Sequence, residues 1–184
     1  SKLGHSPAMY EYGLKLYREQ TDIEQAIYWL SEASRYGLAR AEYRLAKIIL
    51  DSDWVEFDEK KALYWFESAA MKGDLAASIR AADLLLTAKD KSLHDIDKAA
   101  NILTEIASSQ SKNPEYFYLL ALSSKKGSKR DIKATIDNLY KAISFGQIAN
   151  WDVSEWEDVL RDILAGDIRI IEDPYESFGL MGAG

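Results

Sequence analysis

The chain has 184 residues, 47% of them hydrophobic and 29% charged, which supplies material for a sizeable core and excludes wholesale disorder. Thirty acidic against 23 basic side chains leave a net charge of −7. That balance opposes binding to a phosphate backbone, because such affinity comes largely from Lys and Arg displacing counterions. Cysteine is absent, so disulfides, thiolate zinc sites and cysteine nucleophiles are excluded, and no apolar run reaches the ~18 residues of a membrane-spanning helix.

The opening Ser1-Lys2-Leu3-Gly4-His5 does not have the pattern of a secretory signal. Residues 6–37 then read as a helix pair. Ala8, Tyr12, Gly13, Leu16 and Tyr17 mark a first helix, and Ile23, Ala26, Ile27, Leu30 and Ala33 a second, both at three- and four-residue steps. Asp22 stands where an N-cap belongs: its short carboxylate can accept from free first-turn amides and suits the positive end of the helix dipole. Gly37 supplies a left-handed residue after the second helix. Gly13 in mid-helix costs roughly 1 kcal/mol against Ala, so it needs a packing reason.

Residues 38–73 repeat the scheme with Ala41, Leu45, Ala46, Ile49 and Leu50, then Asp58, Ala62, Leu63, Phe66, Ala69 and Gly73. Residues 74–112 repeat it with Ala77, Ala81, Ala82, Leu85 and Leu86, then Asp95 and Ala99. Residues 113–148 begin at Pro114, a good first-turn residue, and carry Phe117, Leu120, Ala121, Asp131, Ala134, Leu139, Ala142 and Gly146. Ala26, Ala62, Ala99 and Ala134 are spaced 36, 37 and 35 apart, a period too regular for chance. Asp131 falls one residue closer to its Ala than the other three do, which weakens it as a cap. One such pair cannot bury its own apolar face, so stacked pairs must make the core. The expected fold is all-α, a right-handed superhelical solenoid of four helix pairs within residues 1–166. Asp152-Val-Ser-Glu155 reads as a capping box opening an acidic capping helix over 152–165, stopped by Gly166. Residues 167–184 are expected to form a non-helical tail that packs back, stays mobile or mediates self-association.

The stretch Val55, Asp58, Lys61-Ala62, Trp65, Ala69-Ala70, Gly73 resembles the second half of a Sel-one-like repeat (SLR), a relative of the tetratricopeptide repeat. Ala8 with Tyr12-Gly13, and Ala41 with Leu45-Ala46, resemble its first half. The likeness runs from residue 6 to about 146 and is strongest in the first two copies. It implies an adaptor that assembles protein complexes in signalling, secretion or the cell envelope. The Gly-rich loop usual in that family is replaced by Arg18-Glu-Gln-Thr21, by Asp51-Ser-Asp-Trp54 and by Thr87 to His94. Without cysteine the chain stands apart from the family's disulfide-bonded branch, some members of which are linked to β-lactam-like ligands.

Tyr10, Tyr43 and Tyr118 hold similar places in their first helices, and first helices line the concave side of such arrays. They form a candidate partner-binding ladder; the competing reading packs them between repeats. Trp54, in a loop beside Asp51, Asp53 and Glu56, is a fourth candidate contact. Trp29 and Trp65, with Tyr28 and Tyr64, are expected in the core. His94 beside Asp95 and Asp97 lies in a polar loop, and Asp95 is already engaged as a cap. No phosphate-binding loop, dinucleotide fingerprint, zinc-protease histidine pair or nucleophile elbow is present. The expectation is a non-enzymatic scaffold for protein partners, with no cofactor or metal and no nucleic acid. Two rivals are an enzyme-associated or hydrolytic role in the cell envelope, and RNA binding through Lys125, Lys126, Lys129, Arg130 and Lys133.

Overall fold

The computed structural model describes residues 5–51, 53–127 and 131–172, with the helical backbone alone for 167–172. These residues form nine α-helices and no strand. They are α1 (Ser6–Glu19), α2 (Ile23–Arg35), α3 (Ala39–Asp51), α4 (Glu59–Met71), α5 (Leu75–Thr87), α6 (Ile96–Ile106), α7 (Pro114–Lys126), α8 (Ile132–Ile148) and α9 (Ser154–Glu172). Short 3-10 turns occur at Lys91–Leu93 and Ala107–Ser109. The helices fall into two compact units, Ser1–Ser109 with α1 to α6 and Gln110–Gly184 with α7 to α9.

The second helix of every pair starts from the same chemistry. Asp22, Asp58, Asp95 and Asp131 each accept, through Oδ1, the amide three residues on (Gln25, Lys61, Lys98 and Ala134), all at 2.9 Å. Asp131 is thus as good a cap as the others. Counted from the caps, the counterpart of Ala26, Ala62 and Ala99 is Thr135, not Ala134. Thr135 is buried as they are, and its hydroxyl donates back to the Asp131 carbonyl at 2.7 Å. Eight residues after each cap come Leu30, Phe66, Leu103 and Leu139, all fully buried. These side chains anchor each second helix to its neighbours.

Gly13 has the packing role its position demands. A methyl group there would stand 3.0 Å from the Ala26 carbonyl oxygen and 3.1 Å from Leu30 Cγ, so α1 and α2 meet backbone to backbone. Gly37 and Gly73, with φ of 85° and 89°, end α2 and α4 in the left-handed conformation. Gly146 does not do this for α8. The helix runs two residues further, Asn150 takes the left-handed turn at φ 57°, and Trp151 N–H donates to the Gly146 carbonyl at 2.9 Å.

In the second unit Ala121, Leu139 and Ile143 of the α7–α8 pair bury Val153 and Leu160. Tyr118, Trp156, Val159 and Ile163 flank that cluster. Asp152 holds the turn before α9 by accepting from both the amide and the hydroxyl of Ser154, at 3.1 and 2.7 Å, which is a tighter turn than a capping box. The expected stop at Gly166 is absent. α9 continues to Glu172, because Gly166 does not adopt the left-handed conformation that ends a helix. The non-helical reading of 167–172 is therefore corrected, and 173–184 lie outside the described residues.

Candidate interaction surface

Tyr10 is not available to a partner. It is buried in the cluster of Leu14, Leu30, Ala33, Ala41, Leu45 and Ile48, with the Arg40 guanidinium 5.4 Å from its ring centre. Burial of Tyr10 beside Gly13 and Leu14 follows from their three- and four-residue spacing on α1. Tyr43 and Tyr118 are half-buried. Tyr43 packs on Phe66 at 5.6 Å, and Tyr118 stacks on Trp156 at 5.0 Å with the rings 16° apart. The first-helix tyrosines therefore serve packing first.

Trp54 differs from all three: it is 63% exposed, in the loop between α3 and α4. Phe57, three residues on, is also exposed and holds Lys89 Nζ 5.3 Å from its ring centre. The carboxylate of Glu59 ties this region to the loop after α5 by accepting from the amides of Lys89 and Asp90, at 3.1 and 2.9 Å. In that loop the Ser92 hydroxyl and then its amide hold the Asp90 carboxyl below its ordinary value. His94 Nε2 lies 2.9 Å from the Ala88 carbonyl, to which it donates. The histidine thus closes the loop on itself.

Tyr28 and Tyr64 overturn their expected place in the core. They are 54% and 65% exposed, while the adjacent Trp29 and Trp65 are half-buried. Each tryptophan braces its tyrosine edge to face at 5.3 Å. Trp29 is fixed in turn by donating from Nε1 to Gln25 Oε1 at 3.1 Å. The periodicity that found the helices also contained this result. Tyr28 is two residues, about 200°, round the helix from buried Ala26. Tyr64 has the same relation to Ala62.

Lys125 and Lys126 occupy the last turn of α7, where positive charge complements the helix dipole; Lys129 and Arg130 lie outside the described residues. Among the described residues no group of three or more His, Asp or Glu side chains is placed to hold a metal ion, and no helix is long and apolar enough to cross a membrane.

The Sel1 repeat family profile matches residues 1–37 and 39–74, the first two helix pairs. Among solved structures, a Sel1 repeat protein from Oxalobacter formigenes superposes with a TM-score of 0.63 at 17% identity, over 77% of this chain and 41% of that one. A protective antigen present in uropathogenic Escherichia coli strains, displaying an SLR fold, gives 0.62 at 19% identity, over 77% and 31%. The chain thus spans less than half the length of either structure, and at these identities the likeness concerns the fold. No curated protein matches the sequence. Repeat register, Asp caps, family match and fold agree: residues 1–37 and 39–74 are similar to Sel1 repeats, and the described residues have the all-α helical-repeat fold of such proteins.

Proposed function

We propose that the chain is a non-catalytic protein-interaction module whose contact surface is built from aromatic side chains that the repeats do not consume in packing. Sel1 repeats are in general protein-interaction modules, which supports the class of function. The observation that carries the reading is the exposure of Tyr28 and Tyr64 at one repeat position, 36 residues apart on successive second helices. Aromatic rings left in water by a fold that could bury them are costly unless a partner covers them. Tyr and Trp are also the side chains that most often dominate binding energy. Each ring here is braced by its neighbouring tryptophan, so little rotamer freedom remains to be lost on binding. Trp54 extends the set. Tyr43 is half-buried against Phe66, Tyr10 contributes through the core alone, and Tyr118 stacks on Trp156 within the second unit.

The test is capture of native partners by the full chain and by a variant carrying Tyr28→Ala, Tyr64→Ala and Trp54→Ala. All three side chains are exposed, so the helical circular dichroism should be unchanged while partners bound by wild type are lost. Retention of the same partners at the same salt concentration would remove this surface from the proposal.

A further inference from the structure

We propose that the partly exposed face of α3, continued by α5, is a docking surface for an acidic segment of a partner protein. Arg40, Arg44 and Lys47 recur on α3 at steps of four and three residues, which places them on one face of the helix. Arg80 on α5 stands 36 residues after Arg44, at the same repeat position of the next first helix. Between α3 and α5 lies a depression of about 190 Å³, lined by Lys47 and Leu50 of α3, Arg80 and Leu84 of α5, and Phe66 of α4. Positive charge is thus concentrated here in a chain whose net charge is −7. The surface belongs to the interior of the first unit, with α1 and α2 before it and α6 after it in the chain.

The cations are not equally engaged. Lys47 pairs with Asp51 at 2.8 Å and Arg80 with Asp83 at 3.6 Å, while the Arg40 guanidinium lies over the Tyr10 ring. Arg44 is half-buried, has no ion pair among the described residues, and keeps its Nε buried without a hydrogen-bond partner. A buried donor without an acceptor is a cost that a ligand oxygen would relieve. A carboxylate fits this donor, because an arginine presents Nε–H and one Nη–H as a planar fork that matches two carboxylate oxygens. The occupant is assigned to protein because Asp51 and Asp83 interrupt the cations and would repel an unbroken phosphate backbone. A peptide meets both features, with a carboxylate at Arg44 and an apolar side chain in the neighbouring depression. This inference rests on the interaction reading above for its class of function alone and uses other side chains.

The probe is a fluorescent decapeptide of alternating aspartate and leucine, titrated into the full chain and followed by anisotropy at low and high salt. Saturable binding that weakens with salt is expected. Arg44→Gln should weaken it at least about tenfold, as loss of one partner of a desolvated charge pair does. Lys133→Gln removes an exposed cation on α8 and should leave affinity within about twofold. The counterpart peptide of asparagine and leucine should fail to bind the unaltered protein, a control that needs no variant to fold. In nitrogen-15 spectra the Arg44 Nε–H signal should move along the binding curve, while that of Arg161, paired with Asp158 at 2.7 Å, stays still. No saturable binding, equal binding of the asparagine peptide, a still Arg44 signal, or equal losses in the Arg44 and Lys133 variants would overturn the proposal. Tighter binding of a single-stranded DNA decamer than of the acidic peptide would overturn the protein assignment in favour of a nucleic acid. The chain carrying Tyr28→Ala, Tyr64→Ala and Trp54→Ala should bind the acidic peptide as wild type does, so failure of that surface and failure of this one are read separately.

Discussion

Gly146 and Val153 meet so closely that a methyl group at position 146 would stand 2.5 Å from Val153 Cγ1, with the Trp156 ring 3.2 Å away. The glycine sets how near α8 lies to the turn into α9. Replacing it should reverse the ordinary helix rule. Alanine in a helix interior gains about 1 kcal/mol over glycine. Overpacking against buried, β-branched Val153 costs about 1–3 kcal/mol. Gly146→Ala should therefore lower the urea midpoint. Gly166→Ala has no neighbour within 4 Å of the added methyl and should raise stability by about 0.5–1 kcal/mol. Matching signs for the two variants would refute this account of Gly146.

The four aspartate caps should prove interchangeable in weight. Asp22→Ala and Asp131→Ala remove the same 2.9 Å bond from the same helix position, so each should cost about 1 kcal/mol. Denaturant unfolding of the two variants decides the point. An Asp131 variant with wild-type stability would return the fourth repeat to the register suggested by Ala134.

Much of this was legible in the sequence because second helices obey a rigid count: cap, small residue at four, large residue at eight. The count was lost where Thr135 stood in for alanine, since a β-branched polar residue does not advertise burial. Glycine misled at 146 and 166 for another reason. The residue is used both to turn a chain and to admit a close neighbour, and composition does not separate these uses. Asn150, which makes the turn, is a rarer left-handed residue. The candidate surface was less legible than the fold. The chemical kind of Tyr28 and Tyr64 suggests the core, whereas their angle from Ala26 and Ala62 points them outwards. Exposure of Trp54 depends on how its loop lies against α4, which no local spacing encodes.

Asp152 offers a pH-dependent check on the turn into α9. The Ser154 hydroxyl first, then its amide, holds the Asp152 carboxyl below its ordinary value of 3.8. A depressed folded value means that the ionised form stabilises the fold. That contribution is complete above the unfolded value near 4 and disappears as pH falls through the lower folded value. Ser154→Ala removes the larger cause and leaves the amide, so the carboxyl should move part of the way back up. Carbon-detected NMR titration of the Asp152 side chain reads this directly. No upward movement would mean that the amide alone holds the charge.

Glu42 carries the sharpest electrostatic prediction. It is 3% exposed, and its Oε1 accepts from the Ser68 hydroxyl at 3.1 Å and from the Lys72 ammonium. Its other oxygen, Oε2, is buried without a hydrogen-bond partner in the structure. Removing one member of a fully buried ion pair costs about 3–5 kcal/mol, because the survivor's charge stays uncompensated. Lys72 keeps 38% of its side chain in solvent, which screens the pair, so Lys72→Met should cost less, about 1–3 kcal/mol. Glu42→Gln removes the buried charge and keeps an acceptor for Ser68, so it should cost less than Lys72→Met. The double variant should then be more stable than the sum of the two single losses predicts. Strict additivity in a double-mutant cycle would show that Lys72 does not compensate Glu42, and that the carboxylate is held by α3 and Ser68 alone.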